Sequence, residues 1–439
     1  HRSVSRGLGD VYKRQEHMRP FTEGAFALDG PTGKAAAVMP YYTVSWNQDQ
    51  KNHENVGNSY SEYMIRDLLR TSCGYDGVVC TDWGITDDPA KELDAFGSRC
   101  YGTEDLTVAE RHLRIIMNGV DQFGGNNDKA PILEAYRIGC ERYGEEVMRK
   151  RMEESAVRIL TNTFRVGLFD NPYLDEEESV RTVGCREFVQ TGYQAQLDSV
   201  VLLKNRNLTL PLKKHRKVYV PDRHIRPMKG FFRQMEEERF CRPIETELLS
   251  EYFEPVSDPE EADAAIVLIE SPLTNGGYEN GGYVPISLQY RPYQAVSARE
   301  TSIAGSTWRP EDLNRSYQGK TVTTANEEDL DLVIQTKKIM GEKPVIVCIA
   351  MHNPAVCAEF EPYADAILAD FGVSRRALLD LITGASPFRG RLPVQLPRDM
   401  DTVERHCEDV AFDLEPYVDG EGHSYDYGYG LDSSGKLLG

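Results

Sequence analysis

The sequence has no run of 18 or more apolar residues, so it offers no segment long enough to cross a bilayer as a helix. It has no basic excess either: Asp+Glu number 70 against Lys+Arg 50, a formal net charge of −20. Phosphate-bearing partners need a basic surface, so nucleic acid and anionic membrane are set aside. A neutral or cationic ligand fits this charge. The nine cysteines are odd in number, and no two have CxxC spacing. Zinc-ribbon and dithiol redox readings are therefore unsupported. Scattered thiols favour a reducing, cytoplasmic setting over a periplasmic or secreted one, which an upstream signal peptide would bring. His112, His352 and His423 lack HExxH-type partners, so no metal is expected, nor any other cofactor. The glycines of NGGYENGG make neither a GxGxxG turn nor a Lys-Ser/Thr phosphate loop.

What is present is ordinary globular composition, 40% hydrophobic and 27% charged, over 439 residues. That length predicts two or three domains. Residues 1–15, HRSVSRGLGDVYKRQ, resemble translated adapter sequence and are excluded from fold reasoning, with the gene expected to extend upstream. AAAVMPYY (35–42) and GVVCTDW (77–83) read as buried strands, and VDQFGG (120–125) as a short strand entering a glycine-rich loop. Residues 60–74, 106–120 and 144–169 read as helices between and after them. DNPYLDEEES (170–179) is proline-containing and acidic, and a linker is placed there. Residues 190–203 read as a further helix ending in apolar VVLLKN. KVYVP, AAIVLIE (264–270), PVIVCIA (344–350) and AILADF (366–371) read as short parallel strands, with helices at 326–340 and 374–384. The region 271–325 is a long polar loop, a length that is usually functional or disordered.

In parallel α/β sheets the side chains at the carboxyl ends of strands line the active site. Asp82 and Tyr42 both fall at such ends. An aspartate leaving an apolar strand is costly to bury without partners. The bland alternative is a helix N-cap, for which Asp87 and Asp88 are equally eligible.

Seven stretches in order resemble glycoside hydrolase family 3, of the two-domain β-glucosidase type: HMRPF (17–21), AAAVMPYY, IRDLLRTSCGYDGVVCTDWG (65–84), RILTNTFRVGLFDNPY (158–173), SVVLLKNRNLTLPLKK (199–214), GRLPVQLPRD (390–399) and YDYGYGLD (425–432). The resemblance implies an α/β chain: the C-terminal part of a TIM-like (β/α)8 barrel over 16–172, a linker over 173–190, and a doubly wound α/β sandwich domain over 191–439. It places the family's sugar-holding Lys-His pair upstream of residue 16. An incomplete barrel would leave sheet edges open.

By the same resemblance Asp82 is the nucleophile of a retaining β-glycosidase, in the position of the family's S-D-W aspartate. Tyr42 is the candidate hydrogen-bond donor to it, and Trp83 the apolar wall for the sugar. A retaining enzyme needs a second carboxyl, about 5–5.5 Å from the first, as acid and then base. IESPLTNGGYENGGYVPISLQY (269–290) occupies the place of the family's acid/base loop. Glu279 is chosen for the role, with Glu270 resembling a preceding, non-catalytic glutamate. A solvated loop carboxyl is the alternative for Glu279. Tyr278, Tyr283, Tyr290 and Tyr293 either stack on sugar or pack the loop. Lys204 and Asn205 are expected to serve interdomain structure. The expected activity is β-glucosidase, with β-xylosidase or α-arabinosidase as alternatives within the class and a carbohydrate-binding fragment without turnover as the alternative outside it. The expected partner is an oligosaccharide or glycoside, and a homo-oligomer stays open.

Overall fold

The computed structural model describes residues 17–89, 99–229, 235–274, 284–301, 314, 316–406, 410 and 412–439. The chain is α/β and divides into two compact units, His1–Glu176 with Thr301–Arg315, and Glu177–Glu300 with Ser316–Gly439.

In the first unit, β1 (Ala37–Val38) and β2 (Val78–Val79) pair in parallel, Ala37 opposite Val78. A further parallel bridge joins Cys80 to Gln122. Three short extended segments thus run side by side and end in the same direction. They are shorter than the runs read from the sequence, because regular pairing stops after two residues on each strand. The segment Tyr63–Ser72 between them winds more widely than an α-helix, with π-type turns, and buries only Ile65. Helix α1 (Val108–Asn118) starts on a Thr107–Glu110 capping box and stops at Gly119 in the left-handed region. Helices α2 (Ala130–Tyr143) and α3 (Glu145–Arg165) follow. Gly139 of α2 lies close to both neighbours: a Cβ there would meet the Met148 sulfur at 2.5 Å and Leu113 Cδ1 at 2.9 Å, so both side-chain ends would have to shift. The core of this unit joins Val56, Tyr60, Ile65, Tyr75, Val79, Ile115 and Val120.

The second unit is built on a mixed six-stranded sheet. Helix α4 (Arg186–Ser199) leads into β3 (Val201–Asn205), which is buried at all five positions. This corrects the reading of 190–203 as one helix: VLLKN is apolar on both faces, as a covered strand requires and an amphipathic helix does not. The remaining strands are β4 (Lys217–Tyr219), β5 (Glu254–Val256), β6 (Ala264–Glu270), β7 (Val345–Ala350) and β8 (Ala366–Asp370). The order across the sheet is β3-β8-β7-β6-β4-β5. All neighbours are parallel except β3, which closes the edge antiparallel to β8 with an irregularity between Ile367 and Leu368. Helix α5 (Glu327–Met340) connects β6 to β7, and α6 (Arg375–Ile382) follows β8. Lys204 and Asn205 satisfy partners inside this unit. Lys204 Nζ donates to Glu361 O at 2.9 Å, and Asn205 receives Leu210 N and donates to Leu210 O and Ser433 O. The partners shown for both lie within this unit.

An antiparallel hairpin, Arg223–Ile225 with Arg239–Cys241, is held to α5 by charge. Arg223 makes a two-pronged pair with buried Asp329, at 2.7 and 2.8 Å, and His224 pairs with Glu328. A second short pair, Tyr293–Gln294 with Thr321–Val322, lies within the stretch read as loop.

Candidate active site

The three parallel segments of the first unit deliver their next residues to one place. Asp82 follows β2, Tyr42 follows β1, and Gly124–Gly125 follow Gln122. Thr81 Oγ1 ties the second to the third by accepting from Gly124 N at 3.0 Å. Asp82 is half-buried. Its Oδ1 accepts from the Trp83 amide at 2.7 Å, and the residues that follow run as turns. An N-cap would instead accept from an amide two or three residues on. The Tyr42 hydroxyl donates to the Trp83 carbonyl and also lies against the Asp82 carboxylate. Burial, and then that carboxylate, push the Tyr42 hydroxyl up to about 12. Tyr42 therefore stays protonated and donates throughout the neutral range. Arg99, which the sequence reading did not select, stands over the Tyr42 ring, 5.8 Å from its centre, and 3.9 Å from Asp87.

Trp83 is 61% exposed, large for a tryptophan. The indole lies against Gly124 and Gly125, close enough that a Cβ on either would meet the ring. The glycine pair was visible in VDQFGG as a loop signal. Nothing in the sequence says that an aromatic ring rests on it.

His112 is fully buried. Its Nδ1 faces Val108 O at 2.8 Å, and its Nε2 faces Asn126 Nδ2 at 3.0 Å and Thr86 Oγ1 at 3.4 Å. Burial holds its pKa below 6.5, against weaker opposing effects from the Val108 carbonyl, Asp87 and Asp128. The unfolded chain then binds a proton that the fold does not. The stability tied to neutral His112 is full above about pH 6.5 and is lost as pH falls from there towards the lower folded value. Thermal unfolding between pH 7 and pH 5 is expected to show a fall in midpoint that His112→Gln diminishes. An unchanged slope in the variant would remove His112 as its source.

In the second unit, Glu270 ends β6. Arg223 donates to its Oε1 at 2.5 Å, and His352, just beyond β7, lies 3.5 Å from its Oε2. Burial raises its pKa, but Arg223 and then His352 outweigh that and leave it below the usual glutamate range. Tyr290 is buried with its hydroxyl on Glu270 O at 2.6 Å, and Tyr293 donates to Glu404 at 2.7 Å. Both pack the fold and are not free to stack on a ligand. Glu279, Tyr278 and Tyr283 lie outside the described residues. Asp82, Tyr42 and Trp83 are thus brought together, all within one unit. Among the described residues no group of three or more His, Cys, Asp or Glu side chains is arranged to hold a metal ion.

The profile of the glycosyl hydrolase family 3 C-terminal domain matches residues 200–433. Beta-glucosidase C of Emericella nidulans is 31% identical over 414 residues, covering 94% of this chain and 56% of that protein. A periplasmic beta-glucosidase/beta-xylosidase of Dickeya chrysanthemi is 28% identical over 432 residues, 95% of this chain and 54% of that protein. In fold, the chain is similar to a β-glucosidase of Erythrobacter marinus, with a TM-score of 0.59 at 17% identity, covering 95% of this chain and 54% of that one. The chain spans about half the length of the curated relatives it matches. The chain belongs to glycosyl hydrolase family 3.

Proposed function

We propose that this chain carries the nucleophile of a retaining exo-β-glycosidase, acting first as a β-glucosidase. The observation that carries the reading is Asp82 at the carboxyl end of a parallel strand, with the Tyr42 hydroxyl against it and the exposed Trp83 beside it. The names of the relatives support the sugar class: β-glucosidases, and one β-glucosidase/β-xylosidase. The proposed architecture is the closing part of a TIM-like barrel over 16–172, a linker over 173–190, and an α/β sandwich over 191–439.

In the proposed reaction, one Asp82 carboxylate oxygen bonds to the anomeric carbon as the glycosidic bond breaks. Glu279 gives its proton to the departing oxygen. Glu279, now ionised, takes a proton from water, whose oxygen displaces Asp82 and frees the sugar. Tyr42, protonated below about pH 12, lies against the carboxylate and, by donating to the Trp83 carbonyl, fixes the residue whose amide holds that carboxylate in line. Glu270 suits the acid role less well, because Arg223 and His352 favour its ionised form and a general acid must hold its proton near working pH. Glu279→Ala is expected to slow glucosides of poor leaving groups by about 10² to 10⁴-fold and those of good leaving groups far less. Added azide should restore the rate. Equal losses on both substrates would assign the acid elsewhere.

The test of the whole reading is intact-mass spectrometry after incubation with a 2-deoxy-2-fluoroglucoside and, separately, its xyloside counterpart. A fluoroglycosyl adduct on Asp82 is expected, and the faster of the two names the sugar. A second reading is glycan binding without turnover. It predicts sugar binding by calorimetry and no adduct.

A further inference from the structure

We infer that Gly125 is a positioning residue of the sugar site: its bare backbone holds the Trp83 indole in place beside Asp82. The inference rests on the reading of Asp82 as nucleophile, and it names what sets the wall next to it. A Cβ built on Gly125 would lie 1.9 Å from Trp83 Cδ1, 2.2 Å from Nε1 and 2.5 Å from Cγ. No real Cβ approaches a ring so closely, so any side chain there displaces the indole. Gly125 also has φ +65°, in the left-handed region that glycine occupies without strain. Gly124 completes the seat. Its Cβ would meet Thr81 O at 2.3 Å and the six-membered edge of the indole, Cε3 and Cζ3, at 2.9 and 3.0 Å. The five-membered ring rests on Gly125 and the six-membered ring on Gly124.

The backbone of the same tryptophan serves the carboxylate. Its amide holds Asp82 Oδ1 at 2.7 Å, and its carbonyl receives the Tyr42 hydroxyl. Tilting the ring therefore moves a flat apolar wall and strains the peptide that orients the carboxylate. The wall suits the C–H face of a sugar or an aryl leaving group. An alanine at 125 changes neither Asp82 nor Trp83 as a chemical group, so whatever it changes comes through position.

The experiment is a double-mutant cycle with Gly125→Ala and Trp83→Ala, read first by thermal unfolding. Alanine at 125 is expected to destabilise the protein when Trp83 is present and far less when Trp83→Ala has removed the ring. The backbone strain of alanine at this φ is common to both backgrounds and cancels from the cycle. If Gly125→Ala alone fails to fold, a folded double variant supports the inference, and an unfolded one overturns it. Equal costs in both backgrounds also overturn it. The second readout is acrylamide quenching of Trp83 with the other two tryptophans, Trp46 and Trp308, replaced by phenylalanine. Quenching of Trp83 should increase in Gly125→Ala, and unchanged quenching overturns the inference. In the folded variant KM for aryl glucosides should rise by about tenfold, with a smaller change in kcat. Should the parent protein form no fluoroglycosyl adduct, the nucleophile reading fails, while the cycle and the quenching still decide whether Gly125 seats Trp83.

Discussion

Asp82→Ala is expected to lower kcat for aryl β-glucosides by roughly 10⁴ to 10⁶-fold, the range seen when a covalent nucleophile is removed and the binding site is left intact. In the proposed reaction the carboxylate is used twice, once to form the glycosyl intermediate and once as its leaving group, so no neighbour can replace it by proton transfer alone. Tyr42 cannot take over as a nucleophile near neutrality, because its hydroxyl is pushed up to about 12. The truncated side chain leaves a space open on one face of the sugar. Azide entering that space attacks from the face that Asp82 occupied and gives a glycosyl azide of inverted configuration. In Glu279→Ala, azide attacks the intermediate from the opposite face and gives the retained product. The anomeric configuration, read by NMR, therefore separates the two roles. Retained activity in Asp82→Ala, or the retained azide from it, would remove this residue from the nucleophile's place.

The strands β6, β7 and β8 were legible because each is a continuous apolar run bounded by polar or proline-containing sequence. Such a run is what a strand covered on both faces needs. The boundary before β3 was not legible. No glycine or proline separates the helical pattern of α4 from VLLKN, and only pairing with β8 makes the latter a strand. The hairpin Arg223–Ile225 with Arg239–Cys241 carries no period of its own. Arg223 and His224 are drawn to Asp329 and Glu328, about a hundred positions later, and no local pattern reports that attraction. The site divides in the same way. An acid leaving an apolar run and followed by tryptophan singles out Asp82 as a strand-end acid or an N-cap, and the family resemblance chooses between them. The seat of Gly124 and Gly125, the place of Arg99 over Tyr42, and the burial of Tyr290 arise from segments that meet only in the fold. For Tyr290 the sequence left stacking on sugar and packing of the loop both open; it is fully buried and packs edge-on against Phe360.

Asp121 is where the largest loss of stability is expected. Its carboxylate is fully buried: Oδ2 accepts from Val79 N at 3.0 Å and pairs with Arg70, and Oδ1 accepts from Ser155 Oγ at 2.7 Å and Arg158 Nη1 at 2.8 Å, with Arg151 at 3.4 Å. Three guanidinium groups thus converge on one negative charge. Two of them also serve the end of α1: Arg70 donates to Gly119 O, and Arg151 donates to Ile116 O and Val120 O. Those carbonyls carry the negative end of the helix dipole, which offsets part of the excess positive charge. Asp121→Asn keeps the shape and removes the charge, leaving Arg70 and Arg151 buried without their counterion. The expected cost is about 3–5 kcal/mol, the usual consequence of breaking a buried ion pair from one side. Against a typical domain stability of about 5–15 kcal/mol, that brings the first unit close to unfolding. Arg158→Ala removes the most exposed of the three partners and should cost about 1 kcal/mol or less. Burial alone would raise the Asp121 pKa, but the Val79 amide, Ser155 and the arginines outweigh it and hold the pKa below 3.8. The stability that Asp121 contributes is therefore full above about pH 3.8 and is lost as pH falls through the lower folded value. Denaturant unfolding of both variants and the parent, at pH 7 and again near pH 3, reads these terms together. A cost below 1 kcal/mol for Asp121→Asn at pH 7 would mean that the helix carbonyls alone neutralise the arginines. Because Gln122, the next residue, carries the third strand segment to Thr81 at 2.9 Å, the same substitution should also loosen the seat of Trp83 and depress turnover before the unit unfolds.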